Sequence, residues 1–134
     1  MVTQPRRVLV ADDDADMRAL IATILRGGAY EVVLCEDAES ALARVKTDNP
    51  FDAMICDFML PGISGLELIE QLRADPATVN LPILMISAHT GPAMSDRAKA
   101  AGANAFLNKP FTLVQLRGTL ADLLAGTGER AVSR

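Results

Sequence analysis

Short apolar runs alternate with helical patterns along the whole chain, and this alternation restricts the possible folds more than any other feature. Apolar runs of this length predict strands that are covered on both faces, as in a parallel sheet. The predicted strands are residues 8–11, 30–35, 53–56, 83–86 and 103–107.

Apolar residues recur at helical spacing between these strands, and polar residues mark where the helices begin. Asp37 is a predicted N-cap, and two capping boxes are predicted, one from Ser64 and Glu67 and one from Thr112 and Gln115. The inward residues predicted for the first helix are Met17, Leu20, Ile21, Ile24 and Leu25, and those for the last are Leu113, Leu116, Leu120, Leu123 and Leu124.

The fourth helix, residues 91–101, has the weakest pattern. Its only inward candidates are Met94, Ala98 and Ala101, so we expect it to be the most mobile element.

Strict alternation of strands and helices predicts an α/β fold, a doubly wound five-stranded parallel sheet with helices on both faces. Crossovers between parallel strands are right-handed, which favours the flavodoxin-like strand order 2-1-3-4-5. We expect one domain over residues 1–125. Residues 126–134 lack periodicity and are predicted to be a disordered tail or the start of a linker.

Composition excludes several classes of function. The net charge of −4 argues against direct binding to nucleic acid or to an anionic membrane. No apolar run approaches the roughly 20 residues of a membrane span, and no export signal is recognisable. Cys35 and Cys56 lie in apolar runs, which indicates buried reduced thiols. These features predict a cytoplasmic protein.

Polar residues follow four of the predicted strands, at the point where each strand ends. Asp12 and Asp13 follow the first strand, Asp57 the third, Ser87 the fourth and Lys109 the fifth. Ligands of open parallel sheets bind beyond the carboxyl ends of the strands, where the strand order reverses. The sequence therefore predicts that three carboxylates, a hydroxyl and an ammonium group meet at one edge.

Three carboxylates and one lysine leave two net negative charges, which a single divalent cation would cancel. Oxygen donors with room for water favour Mg²⁺ over Ca²⁺. Asp57 beside that ion could act as a nucleophile and become an acyl phosphate. Lys109 and the Ser87 hydroxyl would then stabilise the transferring phosphoryl group.

Over roughly residues 7–124, the sequence resembles the receiver domains of two-component systems. Each motif is common alone, but all four in this order are specific. The motifs are Val8-Leu9-Val10-Ala11-Asp12-Asp13, Asp57 followed by Leu60-Pro61-Gly62 and Gly65, Ser87-Ala88, and Lys109-Pro110-Phe111.

The resemblance implies a role for each site residue. Asp57 would be the phosphoacceptor, and Asp13 and Asp57 would bind Mg²⁺ directly. Asp12 would bind the ion largely through water, and the Met59 backbone carbonyl would complete the protein ligands. The Lys109–Pro110 peptide would be cis.

The resemblance also implies a switch, in which Ser87 moves toward the phosphoryl group and Phe106 turns inward. This would change the surface formed by the fourth helix, fifth strand and fifth helix, where partners dock. Phe106 stands where tyrosine is commoner in the family, so this position has no phenolic hydroxyl to form a hydrogen bond that depends on the phosphorylation state. Met59 and His89 occupy the positions that tune phosphoryl lifetime in the family.

The implied partners are a sensor histidine kinase or histidine phosphotransfer protein, and a downstream protein or fused output domain. The domain would be a monomer or a phosphorylation-dependent homodimer, without membrane or direct nucleic-acid contacts. It would not be an enzyme beyond catalysing its own phosphotransfer and dephosphorylation. Both a single-domain regulator and the receiver of a longer protein fit the sequence.

Other interpretations explain fewer residues. A haloacid-dehalogenase-type phosphatase also uses a strand-end aspartate and Mg²⁺, but it needs an acid where Met59 stands. A flavodoxin-type carrier needs a phosphate loop where this chain is acidic. Asp12 to Asp14 could form nothing more than a solvated acidic turn that caps the first helix, and for Asp14 itself we predict a cap or a surface residue.

Overall fold

Strands and helices alternate strictly in the computed structural model, which describes residues 5–48, 50–88 and 92–128. The strands of the described chain are β1 Arg7–Ala11, β2 Glu31–Cys35, β3 Ala53–Asp57, β4 Ile83–Ser87 and β5 Ala105–Asn108. The helices of the described chain are α1 Ala15–Gly27, α2 Ala38–Thr47, α3 Gly65–Ala74, α4 Pro92–Ala101 and α5 Leu113–Gly128.

All neighbouring strands are parallel, and the strand order is β2-β1-β3-β4-β5. The predicted fold class and topology are therefore confirmed. The order reverses between β1 and β3, and the register there pairs Val10 with Ile55. Asp57 at the end of β3 pairs with Ile86 of β4. The carboxyl ends of the central strands consequently meet at one edge.

The core consists of two layers because alternate side chains of each strand point to opposite faces. On one face, Leu9, Met54 and Met85 pack under α2, α3 and α4. On the other face, Val10, Ile55 and Leu84 pack under α1 and α5. The central strands β3 and β4 are buried along their whole length, as continuous apolar runs predict.

The predicted helix starts are confirmed by hydrogen bonds. The Asp37 carboxylate accepts the Ser40 N–H, and the Ser64–Glu67 box has both of its bonds. The box of Thr112 and Gln115 is likewise complete, with N···O distances of 2.9 and 3.0 Å. In α4, only Met94 and Ala98 are buried, which matches the weak pattern of that helix.

Two leucines predicted to face inward are exposed, so those predictions are wrong. Leu20 is 47% exposed, because it projects about 100° round the axis of α1 from the buried Ile21. Leu113 is 44% exposed, because it opens α5 one turn ahead of Leu116, the first residue of that helix to be buried.

Most strand boundaries differ from the prediction by one residue, and the largest differences are in β5 and α5. β5 begins at Ala105 rather than residue 103, since Asn104 caps the start of β4 by accepting the Ile83 N–H with its side chain. α5 continues to Gly128, three residues past the domain boundary predicted at Ala125. The remainder of the predicted tail, residues 129–134, lies outside the described residues.

Two predictions from composition can be compared with the structure. Cys35 and Cys56 are free and buried, as expected. None of the helices within residues 5–48, 50–88 and 92–128 is long and apolar enough to cross a membrane.

Candidate functional site

Asp12 lies one residue beyond the end of β1 and is held on several sides. Its backbone N–H donates to the Cys35 carbonyl oxygen at 3.1 Å. Its Oδ1 accepts the Asp14 N–H at 2.9 Å, which closes a tight turn before α1. Asp12 is only 1% exposed, so a carboxylate is buried here at the edge of the sheet.

The next two aspartates have different surroundings. Asp14 is the N-cap of α1, and its side chain accepts the Asp16 N–H at 2.9 Å. Of the two roles predicted for Asp14, cap or surface residue, the structure shows the cap. Asp13 is exposed, but a carboxylate oxygen of Asp13 lies within 4.8 Å of oxygens of both Asp12 and Asp57.

Asp57 is the last residue of β3 and is 6% exposed. The backbone N–H of Met59 donates to its carboxylate. Gly65, at the start of α3, lies against the Asp57 backbone, and a Cβ at residue 65 would collide with the Asp57 carbonyl oxygen. The Gly65 N–H donates to the Phe58 carbonyl at 3.0 Å. Glycine at residue 65 thus allows α3 to pack close to the Asp57 backbone.

Lys109 reaches the two buried acids from β5. Its backbone N–H donates to the Ser87 carbonyl at 2.8 Å, and the Lys109–Pro110 peptide is cis, as expected. The Lys109 Nζ lies 3.2 Å from the Asp12 Oδ2 and 3.4 Å from the Asp57 Oδ2. The ammonium group therefore bridges the carboxyl ends of β1 and β3.

Mutual proximity changes the acidity of these groups. Burial raises the pKa of Asp57, and the Asp12 carboxylate raises it further; attraction to Lys109 offsets only part of this increase. Burial alone would lower the pKa of Lys109, but the Asp57 and Asp12 carboxylates outweigh it, so the pKa is raised overall. Lys109 is thus held protonated, whereas the ionised form of Asp57 is disfavoured without a further cation.

The donor set fits Mg²⁺. Asp12, Asp13 and Asp57 each contribute a carboxylate oxygen, and one lysine leaves the cluster with two net negative charges. A hard divalent cation takes oxygen donors and would cancel that charge. Asp13 is exposed on the solvent side, so the edge can also supply the water ligands that Mg²⁺ retains.

The predicted switch residues lie near the site on neighbouring strands. Ser87 ends β4 and is fully buried. Phe106 is half-buried, pairs in register with Met85, and packs on the core layer beneath α2, α3 and α4. Met59 has an exposed side chain, and His89 lies outside the described residues.

Two arginines near the site were not identified from the sequence. The Arg18 Nη1 donates to the Asp12 carbonyl oxygen at 2.7 Å. The Arg97 guanidinium of α4 lies 5.6 Å from the centroid of the Phe58 ring, next to Asp57 in sequence. Arginines on polar helix faces usually point into solvent, so no local pattern identifies these contacts.

Comparison with known proteins gives the same family as the motifs. The family model described as "Response regulator receiver domain" matches residues 8–121. The chain is similar to the phosphate regulon transcriptional regulatory protein PhoB of Pseudomonas aeruginosa, with 34% identity over 123 residues, 92% of this chain and 53% of PhoB. It is also 33% identical to the chemotaxis protein CheY-3 of Vibrio cholerae over 115 residues, 85% of this chain and 88% of CheY-3.

Solved structures agree with this similarity. The chemotaxis response regulator CheY4 of Vibrio cholerae superposes with a TM-score of 0.84 at 32% identity, over 90% of this chain and 99% of that one. Lengths vary among the curated relatives. The chain spans about half of PhoB and 17% of the sensory/regulatory protein RpfC of Xanthomonas campestris, to which it is 35% identical.

Proposed function

Because the chain belongs to the response regulator receiver domain family, we propose that it accepts a phosphoryl group on Asp57 in a Mg²⁺-dependent reaction. The observation that carries the proposal is the position of the Lys109 ammonium, 3.2 Å from Asp12 and 3.4 Å from Asp57. A third carboxylate, Asp13, lies within 4.8 Å of both acids, so the cluster keeps a net negative charge that Lys109 alone does not cancel.

The reacting groups have separate tasks. A carboxylate oxygen of Asp57 attacks the phosphorus atom of the donor, and the bond from phosphorus to the donor breaks as the acyl phosphate forms. Lys109 remains protonated and contacts a phosphoryl oxygen, while the Ser87 hydroxyl donates to another. Both groups stabilise charge on the transferring phosphoryl group, which is the main requirement of this reaction.

Asp12, Asp13, Asp57 and the Met59 backbone carbonyl would hold the Mg²⁺, with Asp12 acting largely through water. When bound, Mg²⁺ supplies the positive charge that lets the acids and the incoming phosphoryl group share one edge.

Receiver domains act between histidine kinases and output domains. We propose a sensor histidine kinase or histidine phosphotransfer protein as the donor, and a downstream protein or fused output domain as the target, in the cytoplasm. The domain catalyses its own phosphorylation and dephosphorylation. It acts as a monomer or a phosphorylation-dependent homodimer, without direct contact to nucleic acid or membrane.

Phosphorylation of the intact chain with acetyl phosphate tests the assignment of Asp57. With Mg²⁺ present, intact-protein mass spectrometry should show one added phosphoryl group, and hydroxylamine should release it. Asp57→Asn should show no addition, whereas Asp122→Asn, which changes an exposed aspartate of α5, should react like the wild type. Chelating the metal should abolish the reaction. Undiminished labelling of Asp57→Asn would refute the assignment.

We also propose that phosphorylation changes the surface of α4, β5 and α5. In α4 only Met94 and Ala98 are buried, so few contacts resist its displacement. Ser87 and Phe106 lie on the two strands beside it. A coupling free energy of roughly 1–3 kcal/mol is enough to change a partner's affinity about 5- to 150-fold.

Amide hydrogen exchange over residues 93–107, with and without beryllofluoride, tests this switch. The phosphoryl mimic should change protection in α4 and β5 of the wild type. Phe106→Ala should leave Asp57 labelling nearly intact but weaken that distant change. Protection that changes only beside Asp57 and Lys109 would contradict the proposed switch and leave the phosphorylation site unaffected.

A further inference from the structure

Arg18 holds the backbone of the turn that carries two of the acids. It lies in the first turn of α1, and its Nη1 donates to the Asp12 carbonyl oxygen at 2.7 Å. The Arg18 side chain is half-buried, so this bond is shielded from water on one side. The accepting carbonyl lies one residue beyond the end of β1, outside the register of the sheet.

The contact acts on Asp13 because a peptide unit is rigid. The Asp12 carbonyl and the Asp13 N–H belong to one plane, so fixing the oxygen restricts the rotation that orients the Asp13 Cβ. Asp12 has other anchors: its N–H is bonded to Cys35, and its carboxylate is bonded to Asp14 and Lys109. Asp13 is exposed, and its orientation therefore depends more on the peptide that Arg18 holds.

We infer that Arg18 is a positioning residue for the metal site. By holding the Asp12–Asp13 peptide, it directs the Asp13 carboxylate toward the position that Asp12 and Asp57 also face. This inference rests on the proposed Mg²⁺ binding and adds a residue that does not itself touch the ion.

Removing Arg18 takes away both its positive charge and its hydrogen bond, and these two losses should change Mg²⁺ affinity in opposite directions. The inference is therefore testable. A guanidinium beside the acids repels a cation, so its removal should strengthen Mg²⁺ binding if charge alone matters. Loss of the hydrogen bond should weaken binding instead. Groups that orient metal ligands typically contribute about 10- to 100-fold in affinity, whereas charges near solvent are screened. Positioning should therefore dominate.

Calorimetric titration of the apo protein with Mg²⁺ alone measures the net sign. We expect Arg18→Met to bind Mg²⁺ roughly tenfold more weakly than the wild type. Arg26→Met is the matched control, since it removes the same charge from the exposed last turn of α1 and should bind like the wild type. Arg18→Lys keeps the charge and a donor, so it should recover part of the affinity.

Each outcome decides the question. Unchanged or tighter Mg²⁺ binding by Arg18→Met overturns the inference, as does equal weakening by Arg26→Met. Thermal unfolding without metal reports whether the variants fold. If Arg18→Met does not fold, Arg18→Gln, whose amide nitrogen ends two bonds short of the Arg18 Nη1 position, replaces it with the same expected weakening. If the wild type does not bind Mg²⁺, both the proposed function and this inference fail. If the wild type binds Mg²⁺ and Arg18→Met binds it equally well, only this inference fails.

Discussion

Arg73 and Lys109 lie at opposite ends of the sheet and have different kinds of hydrogen-bond partner. At the amino end of β4, the Arg73 guanidinium donates to the carbonyl oxygens of Gly102, Thr78 and Val79 at 2.9, 3.3 and 3.1 Å, and to the Asn104 Oδ1 at 2.8 Å. At the carboxyl end, Lys109 faces three clustered carboxylates. The charge of Arg73 is satisfied by neutral acceptors, whereas the three carboxylates near Lys109 are only partly balanced by its single positive charge.

This difference separates stability from function within one sheet. Acceptors around Arg73 join α3, the α3–β4 connection and the start of β5, so the cation contributes to packing. Acids around Lys109 repel one another, and their burial costs free energy unless another cation enters. We expect substitutions at the amino end to lower stability, and neutralisation at the carboxyl end to raise it.

The largest effect on stability should come from Arg73→Met. The substitution removes four hydrogen bonds to a charged donor, including the one to the part-buried Gly102 carbonyl, so we expect a loss of roughly 1–3 kcal/mol. Chemical denaturation without metal measures it. Arg26→Met, an exposed change, should stay within about 0.5 kcal/mol of the wild type. If both variants lose equally little, the Arg73 contacts do not stabilise the amino end.

The same contrast explains what could be predicted from the sequence. The acids, Ser87 and Lys109 follow short apolar runs, so the period of the strands and the order of the sheet place them at one edge. Contacts of Arg73 and Arg18 have no such signal, because a long flexible side chain selects among many carbonyl groups only after folding. Arg117 is similar: it bonds the Ile24 carbonyl, 93 residues away in sequence.

The burial of individual leucines could not be predicted from the sequence either. Helical spacing identifies an apolar stripe on α1, but not how much of that stripe the sheet covers. Leu20 lies beyond the covered part, and Leu113 precedes it on α5. These errors leave the strand order unaffected, because the order depends on the strands and on the handedness of the crossovers.

A second prediction concerns Asp13 at the carboxyl end. Asp13→Ala removes one of three repelling carboxylates, so the apo protein should be at least as stable as the wild type. Mg²⁺ affinity should fall at least roughly tenfold, with loss of Mg²⁺-dependent phosphorylation. Thermal unfolding in chelator and calorimetric titration measure the two effects. Asp16→Ala, in the first turn of α1, is the control and should keep its Mg²⁺ affinity. Marked destabilisation of apo Asp13→Ala would identify the acid as structural.

The smallest expected effect is the pH dependence of Asp57. Its pKa is raised in the folded state by burial and by Asp12, even with Lys109 beside it. An acid whose folded pKa exceeds its unfolded pKa destabilises the fold while ionised, and this cost disappears as the pH falls through the raised pKa toward the ordinary value. Without metal at neutral pH, Asp57→Asn should therefore be more stable than the wild type, and the difference should shrink on acidification. Denaturation curves of both proteins in chelator, at a series of pH values, measure that difference.

Adding Mg²⁺ at neutral pH should stabilise the wild type more than the variant, since only the wild type keeps all three acids. The difference in the free energy of unfolding between the two proteins would not vary with pH if Lys109 already balanced the charge of ionised Asp57. That result would contradict the contrast between the two ends of the sheet.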